Sequence, residues 1–395
     1  MAKREKMVQA KSAKNDEFYT RYNDIQKEIN AYLEYNPDTF KDKKILLPCD
    51  DPEWSNFTKF FAQNFEQFGL KKLISTSYAP DSKKVNFEQL SLFEMNSPQY
   101  DKNKTKSHGK IFTLTKDKNK SGKIDIDDLE WKYLEGDGDF RSDEVTKLRD
   151  EADIIITNPP FSLFREFLNW IISGRKEFII IGSINCITYK EVFAQIKSNK
   201  IWLGNGMGRW ISGFIVPKGY ELYGTEARIE NGERIVATNN CLWLTNIEHG
   251  KRHQPLQLMT MADNIKYSKH KDIKNLDYQK YENYDAIEVP HTDSIPSDFK
   301  GIMGVPITFL DKYNPNQFEI VGLGIVGSCK FTSNVKMEIL DKNGNGTGNY
   351  TINAKGTLYR KYDKARDKKP AFKNVITGEL YSSIYARILI KFREV

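Results

Sequence analysis

No segment of this 395-residue chain approaches the roughly 18 unbroken apolar residues that a membrane span requires. Its first residues, Met1-Ala2-Lys3-Arg4-Glu5-Lys6, are charged where a secretory leader would be apolar. A cytosolic protein without membrane contact is therefore expected. Cysteine is scarce: Cys49, Cys186, Cys241 and Cys329 are far apart, which excludes a metal-type pair, and each lies in or beside an apolar segment where a buried, reduced thiol is the expectation. Histidine is scarce as well. His249 and His253 are four apart in a polar stretch, but no third ligand accompanies them; they read as solvated surface, and no metal is expected. No repeat of fixed period is present. The net charge of +7 is modest and widely spread, which favours an anionic partner without requiring one.

What is there centres on Asn158-Pro159-Pro160-Phe161, directly after the apolar run Asp153-Ile154-Ile155-Ile156-Thr157. Two consecutive prolines cannot donate backbone hydrogen bonds and hold φ near −65°, so the chain leaves a buried strand in a fixed direction. Asn158 is thereby presented at a strand's carboxyl end, where ligands sit in open α/β sheets. An amide and an aromatic ring there suit a planar, amine-bearing base, adenine or cytosine. An exocyclic amine is a poor nucleophile because its lone pair is delocalised into the ring. The Asn158 side-chain oxygen and the Pro159 carbonyl can each accept one of its N–H bonds, drawing the nitrogen toward tetrahedral geometry for attack on an electrophilic methyl group. Phe161 would stack on the base, offsetting part of the cost of removing the nucleotide from its helix by roughly 1–3 kcal/mol. The competing reading is an ordinary strand-to-loop exit with turn prolines.

The surrounding pattern alternates. Helical periodicity runs from Asp16 to Tyr35, followed by a strand at Lys43–Pro48, an amphipathic helix at about 57–68, and a strand at Lys72–Ser77: a βαβ unit, hence a parallel sheet. A lysine-rich insertion at about 81–130, read as hairpins, interrupts the rhythm. It resumes with strand 152–157, helix 162–173, strand 177–183 and helix 188–198. Segments around 214–216 and 241–244 are expected to close the sheet, and the glycine-rich polar stretch that holds Gly204, Gly206 and Gly208 is a candidate mobile loop. Beyond residue 255, short apolar runs alternate with turn signals, which predicts a β-rich module.

Asp50 and Asp51 follow the first strand. Carboxylates there suit the ammonium and ribose hydroxyls of S-adenosylmethionine and would repel a dinucleotide's phosphates; equally, Asp51 or Ser55 could cap the next helix. Asp139-Phe140 could bond the cofactor's adenine amine and pack on its ring, or could form a plain turn. The stretch from Asp117 to Asp128 imitates a calcium loop but carries lysines and ends on Asp, which favours a hairpin turn. From Lys355 to Lys373 the basic residues Lys355, Arg360, Lys361, Lys364, Arg366, Lys368, Lys369 and Lys373 outweigh Asp363 and Asp367 by a net +6. That suits phosphate contacts or a solvated loop.

Taken together, Asn15-Asp16-Glu17-Phe18-Tyr19-Thr20, Cys49-Asp50-Asp51-Pro52, Gly138-Asp139-Phe140, Asn158-Pro159-Pro160-Phe161, Met303–Leu310 and Tyr313-Asn314-Pro315 make the chain resemble the EcoRI-type adenine-specific DNA methyltransferases over nearly its whole length. The resemblance implies an α/β fold: a Rossmann-like class I methyltransferase sheet with helices on both faces, plus a β-rich C-terminal module. It implies S-adenosylmethionine as methyl donor and N6 methylation of an adenine flipped out of a short site in double-stranded DNA. By motif position, Asn158, Pro159, Pro160 and Phe161 would hold the target base, and Phe18, Tyr19, Asp50, Asp51, Asp139 and Phe140 would line the cofactor pocket. One departure from the general methyltransferase pattern is the absence of a glycine-rich turn after the first strand, replaced by Cys49-Asp50-Asp51-Pro52-Glu53-Trp54. The expected organisation is an N-terminal segment 1–35 that contributes to the cofactor pocket, a methyltransferase domain 36–254, and a DNA-recognition module 255–395 in which Arg360, Lys361, Lys364, Arg366, Lys368 and Lys369 meet DNA. The expected role is the modification half of a restriction-modification system, with any cognate endonuclease acting separately, or a stand-alone version. The rival readings are methylation of a protein glutamine, whose amide could use the same grip, and a DNA-binding protein that has lost catalysis.

Overall fold

A computed structural model describes residues 19–50, 55–79, 98–216, 222, 227–236, 239–332 and 335–393. The protein is mixed α/β and forms two compact units, Met1–Ile184 with Ile201–Gly250, and Asn185–Lys200 with Lys251–Val395.

The first unit is built on an eight-stranded sheet. Its strands are β1 (Lys44–Leu47), β2 (Lys72–Ser77), β3 (Lys110–Leu114), β4 (Glu130–Tyr133), β5 (Ile154–Thr157), β6 (Glu177–Ser183), β7 (Trp202–Met207) and β8 (Cys241–Thr245), in the order β4-β3-β2-β1-β5-β6-β8-β7. The central strands β2, β1, β5 and β6 are parallel, and the flanking pairs are antiparallel. Parallel pairing in the middle explains the continuous apolar runs, because such strands are covered on both faces. Ile45, Leu47, Ile154, Ile156, Ile179 and Ile181 point into one core with Phe57, Phe60, Phe61 and Trp243. The alternate residues Leu46, Ile155, Phe178 and Ile180 are equally buried.

The helices follow from local chemistry. α1 (Tyr22–Tyr35) presents Ile25, Ile29 and Tyr32 at helical spacing to the core. α2 (Asn56–Gln63) is N-capped by Ser55, whose Oγ accepts from the Phe57 N–H at 3.1 Å. α3 (Asp143–Glu151) is capped by Ser142 and carries Asp143 and Glu144 in its first turn, where the helix dipole favours negative charge. α4 (Phe164–Ser173) follows a short 3-10 turn at Phe161–Leu163, whose cap Pro160 is held at φ −55° and ψ 120°. The periodicity read as a helix from Asp16 starts as a helix only at Tyr22; Tyr19–Thr20 form a strand.

Three expectations are corrected. The segment Phe214–Val216 does not join the main sheet: it pairs with Tyr19–Thr20 and with the hairpin 228–236 in a separate four-stranded sheet. The glycine stretch is not a mobile loop; it is edge strand β7, held by α1. Glu28, buried, accepts from the backbone N–H of Asn205 (2.8 Å) and Gly206 (2.9 Å) and from the Tyr32 hydroxyl (3.0 Å). Gly204 is needed because a Cβ there would run into the Glu28 carboxylate and lie 2.7 Å from Trp243 Cβ. Third, His249 is not solvated: it is buried, with Nε2 2.9 Å from the Leu203 carbonyl and its ring edge-on to Tyr32. In the calcium-like stretch, Asp128 accepts backbone N–H bonds from Lys118, Asn119 and Asp125, and Asp117 accepts them from Ser121 and Gly122, as a tight turn does.

The second unit contains a four-stranded sheet (Ile287–Glu288, Met303–Pro306, Arg387–Phe392, Phe318–Leu323) and a five-stranded antiparallel sheet (Gly346–Thr351, Met337–Leu340, Phe372–Asn374, Leu380–Ile384, Leu358–Lys361), each in that spatial order. Helix α5 (Lys190–Lys197) belongs to it, and Lys197 Nζ donates to the Val321 carbonyl at 2.7 Å. A buried ion pair, Arg387 to Glu288 at 2.6 Å, sits beneath the Tyr281 hydroxyl, whose proton burial and the neighbouring carboxylate hold well above the ordinary phenol range. Among the described residues, no helix is long and apolar enough to cross a membrane.

Candidate active site

The parallel strands run the same way, so the carboxyl ends of β2, β1 and β5 lie side by side. From β1 the chain goes to β2 on one side, and from β5 to β6 on the other, which makes the β1/β5 boundary the point where strand order reverses. Ligands of doubly wound sheets bind at that crevice. Asp50 follows β1 and Asn158 follows β5 at these ends.

At the end of β1, Cys49 adopts φ +66° and turns Asp50 inward, where it is 6 % exposed. The Asp50 carboxylate accepts from Ser55 Oγ (2.8 Å), and its other oxygen lies 2.6 Å from Thr157 Oγ1. Thr157 Oγ1 is also 2.8 Å from the Pro48 carbonyl. The Asp50 backbone carbonyl accepts from the Ser75 hydroxyl of β2, which in turn is 2.9 Å from Thr58 Oγ1. One buried carboxylate thus ties the ends of β1 and β5 to the start of α2, and the residue immediately after Thr157 is Asn158. Ser55 is the helix cap that the sequence raised as an alternative for this turn.

Asn158 and Pro160 are half-buried and Pro159 buried. The Pro160 carbonyl accepts from the Leu163 N–H (3.0 Å), closing the turn that leads into α4. The Phe161 ring meets Phe214 edge-on at 6.3 Å. Phe214 lies in the strand that pairs with Tyr19–Thr20, and Asn56 Nδ2 donates to the Thr20 carbonyl at 2.9 Å. Tyr19, half-buried, is thereby brought to the same region as Asp50 and Phe161.

Asp139 stands beyond the end of β2. Gly138, at φ +83°, packs against the Ser77 carbonyl, and the Ala79 N–H donates to the Asp137 carbonyl at 2.8 Å. The Asp139 carboxylate accepts two bonds from Arg141 (2.9 and 2.6 Å), and Arg141 reaches Glu166 of α4 at 3.0 Å. The hydrogen bond to Asp139 holds the Arg141 guanidinium charged beyond even its ordinary range. Phe140 is buried against Phe167 (5.0 Å) and Trp170 (5.7 Å) of α4. Phe18 and Asp51 lie outside the described residues.

The basic run lies in the second unit and splits by residue type. Arg360 is buried and forks onto Asp367 at 2.7 and 2.9 Å. Arg366 packs inward beside Asp363 and donates to the Asp277 carbonyl. Lys361 is exposed and pairs with Glu379 at 3.1 Å, while Lys364, Lys368 and Lys369 are exposed. The planar guanidinium suits buried bidentate pairing and the long, hydrated lysine suits the surface, a distinction that a charge count does not make. Glu28, Thr157 and Ser75 were not singled out from sequence. The pattern that could have found Thr157 and Ser75 is a hydroxyl within or ending a buried apolar strand.

The profile of the family described as "Adenine-specific methyltransferase EcoRI" matches residues 6–393. The chain belongs to this family. It is 46 % identical over 332 residues to Type II methyltransferase M.EcoRI of Escherichia coli, covering 82 % of this chain and 93 % of the relative. It is 36 % identical over 315 residues to Type II methyltransferase M.MgeORF184P of Mycoplasma genitalium (79 % and 84 % covered), and 32 % identical over 317 residues to Type II methyltransferase M.MpnI of Mycoplasma pneumoniae (79 % and 83 %). No solved structure matches the chain. Membership of the EcoRI adenine-specific methyltransferases makes the protein an enzyme that transfers a methyl group to DNA adenine.

Proposed function

We propose that this enzyme is a site-specific DNA adenine-N6 methyltransferase that uses S-adenosylmethionine, that the first unit carries a Rossmann-like class I methyltransferase fold, and that the second unit reads DNA. The observation that carries this is Asn158 leaving β5 at the point of strand reversal, with its neighbour Thr157 tied to Asp50 of β1. The donor set fits the cofactor: carboxylates and hydroxyls gather at the strand ends, a chemistry suited to an ammonium and a ribose and hostile to a pyrophosphate. S-adenosylmethionine supplies an electrophilic methyl group on a sulfonium that leaves as a neutral thioether.

The chain's own residues do the rest. The Asn158 side-chain oxygen and the Pro159 carbonyl accept the two amine hydrogens of the extruded adenine and return its lone pair for attack. Pro160 fixes the direction of that corner, and Phe161, braced by Phe214, stacks on the base. The amine proton passes to solvent once the carbon–nitrogen bond has formed. Tyr19 and Asp139 line the cofactor pocket, to which Phe18 and Asp51 are assigned by motif position alone; Asp50 and Phe140 support it from behind, one through hydroxyls and one through α4. Lys361, Lys364, Lys368 and Lys369 meet DNA phosphates. The role is modification within a restriction-modification system, with any endonuclease acting separately.

Radiolabelled methyl donor offered to duplex DNA and to protein, with wild type and Asn158→Ala, tests the reading. Wild type should label DNA alone, and the variant should lose at least about a hundredfold in rate with duplex affinity within about twofold. Wild-type turnover by Asn158→Ala, or label in protein glutamine, would remove it.

A further inference from the structure

We propose that one end of the five-stranded sheet in the second unit is a DNA-distorting surface, on which Ile376 enters between stacked base pairs while neighbouring lysines hold the flanking phosphates. This rests on the reading of duplex DNA as substrate. Strands 372–374 and 380–384 are joined by a turn that is set rather than loose. Asn374, 7 % exposed, accepts from the Ile376 N–H (2.9 Å) and the Thr377 N–H (3.2 Å) through Oδ1, and from the Gly378 N–H (3.0 Å) through its carbonyl. Gly378 takes φ +73°, which closes the turn. On that rigid mount Ile376 is 91 % exposed. A β-branched aliphatic residue at such a position is poor turn chemistry and gains nothing from burial in the folded chain.

Its surroundings give it a purpose. Met337 pairs with both Asn374 and Thr351, so the residues just beyond, Lys336, Val375 and Ile352, emerge at the same sheet end, and the Val375 N–H donates to the Lys336 carbonyl at 3.2 Å. Val375 and Ile352 are themselves half or more exposed. Lys336 holds its ammonium 4.8 Å over the Tyr350 ring, and Lys373 is exposed one strand away. The acid in the turn, Glu379, is engaged by Lys361 (3.1 Å), the Tyr381 hydroxyl (2.9 Å) and Thr377. The basic loop 362–371 leaves strand 358–361 on the side of the turn, where Lys361 pairs with Tyr381 and the Tyr362 N–H donates to the Leu380 carbonyl, and enters strand 372–374 at its other end, so Lys336, Lys361 and Lys373 are the lysines placed beside the turn itself. A narrow apolar tip ringed by ammonium groups is unlike a protein-docking core, which is depleted in lysine. It matches the inside and outside of a duplex: apolar between the base steps, anionic along the backbone.

The test uses the full chain and a duplex carrying 2-aminopurine beside the adenine that the wild type methylates. Wild type should raise the fluorescence as the stack opens. Ile376→Ala should lose most of that rise and at least about tenfold in kcat/KM, keep its melting temperature, and keep its affinity for non-cognate duplex within about twofold. Ile376→Leu, which preserves an apolar wedge, should restore both signals. Wild-type fluorescence and rate in Ile376→Ala would overturn the wedge alone, as would a loss that Ile376→Leu does not recover. A change confined to self-association or to binding of another protein would likewise reassign the surface and overturn it. A wild-type chain that methylates no duplex would instead overturn the function on which the wedge rests.

Discussion

Asp50→Ala and Asp50→Asn separate a supporting carboxylate from a cofactor-binding one. In the folded chain the Asp50 side chain accepts from Ser55 Oγ at 2.8 Å and faces Thr157 Oγ1 at 2.6 Å. Hydrogen bonds to a charged group contribute about 1.5–3 kcal/mol each, so the alanine variant forfeits roughly 3–6 kcal/mol. Removing a buried charge recovers part of this as relieved desolvation, which leaves a net loss of about 2–4 kcal/mol. For a unit of this size that lowers the melting temperature by roughly 5–15 °C. The asparagine variant should behave differently. Its side-chain oxygen can keep the Ser55 bond, its amide can donate to Thr157 Oγ1, and Thr157 can turn its own proton onto the Pro48 carbonyl 2.8 Å away. Asp50→Asn should therefore stay within about 1 kcal/mol of wild type. Scanning calorimetry measures both, and calorimetric titration with S-adenosylmethionine measures donor affinity. Equal thermal losses in the two variants would refute the hydrogen-bond argument. An Asp50→Asn protein that melts normally yet binds the donor far more weakly would show that the charge itself meets the cofactor's ammonium.

Two further outcomes follow from the second unit. Changing Lys364, Lys368 and Lys369 together to Gln should reduce the slope of log affinity for DNA against log salt by about 2–3, whereas Arg360→Ala should leave the slope alone and destabilise the fold by about 3–5 kcal/mol; filter binding across a salt series with parallel melts checks both. Asp367 gives an acid limb: burial alone would raise its carboxyl, but the hydrogen bonds from Arg360, Ser382 and the Asp363 N–H outweigh it and hold the group below its ordinary 3.8. A folded value below the unfolded one contributes stability in full above pH 3.8 and loses it as pH falls through the folded value, so Asp367→Asn should flatten the decline in melting temperature in that window, and an unchanged decline would count against it.

The strands at the centre of the main sheet were legible because their signal is local. Lys72–Ser77 and Glu177–Ser183 were read to the residue, and β1 and β5 to within two, since continuous β-branched and leucine runs bounded by Pro, Gly and charge have few other homes. β7 was missed for an equally physical reason. Its glycines exist to let the Glu28 carboxylate approach the backbone, so the residues that make the strand possible also erase its hydrophobic signature. Phe214–Val216 reads as β, but three residues carry no information about which edge they will pair with. At the candidate site, the exit of Asn158 and its prolines from the end of β5 is legible in the apolar run and the proline geometry, whereas the Asp50–Thr157 link joins residues 107 positions apart and has no trace in the sequence. The division of the basic run into inward arginines and outward lysines was equally hidden, because it depends on where Asp363 and Asp367 come to lie.

Helix α5 is encoded between β6 and β7 of the first unit's main sheet, yet it folds with the sheet that holds Phe318–Leu323. The polypeptide therefore crosses from one unit to the other three times, after residues 184, 200 and 250. A gene cut at any single codon cannot yield two self-sufficient halves: an amino-terminal fragment ending near 250 would carry an amphipathic helix with its partner strand missing. Recombination that exchanged the second unit between relatives would have to exchange two separated stretches at once.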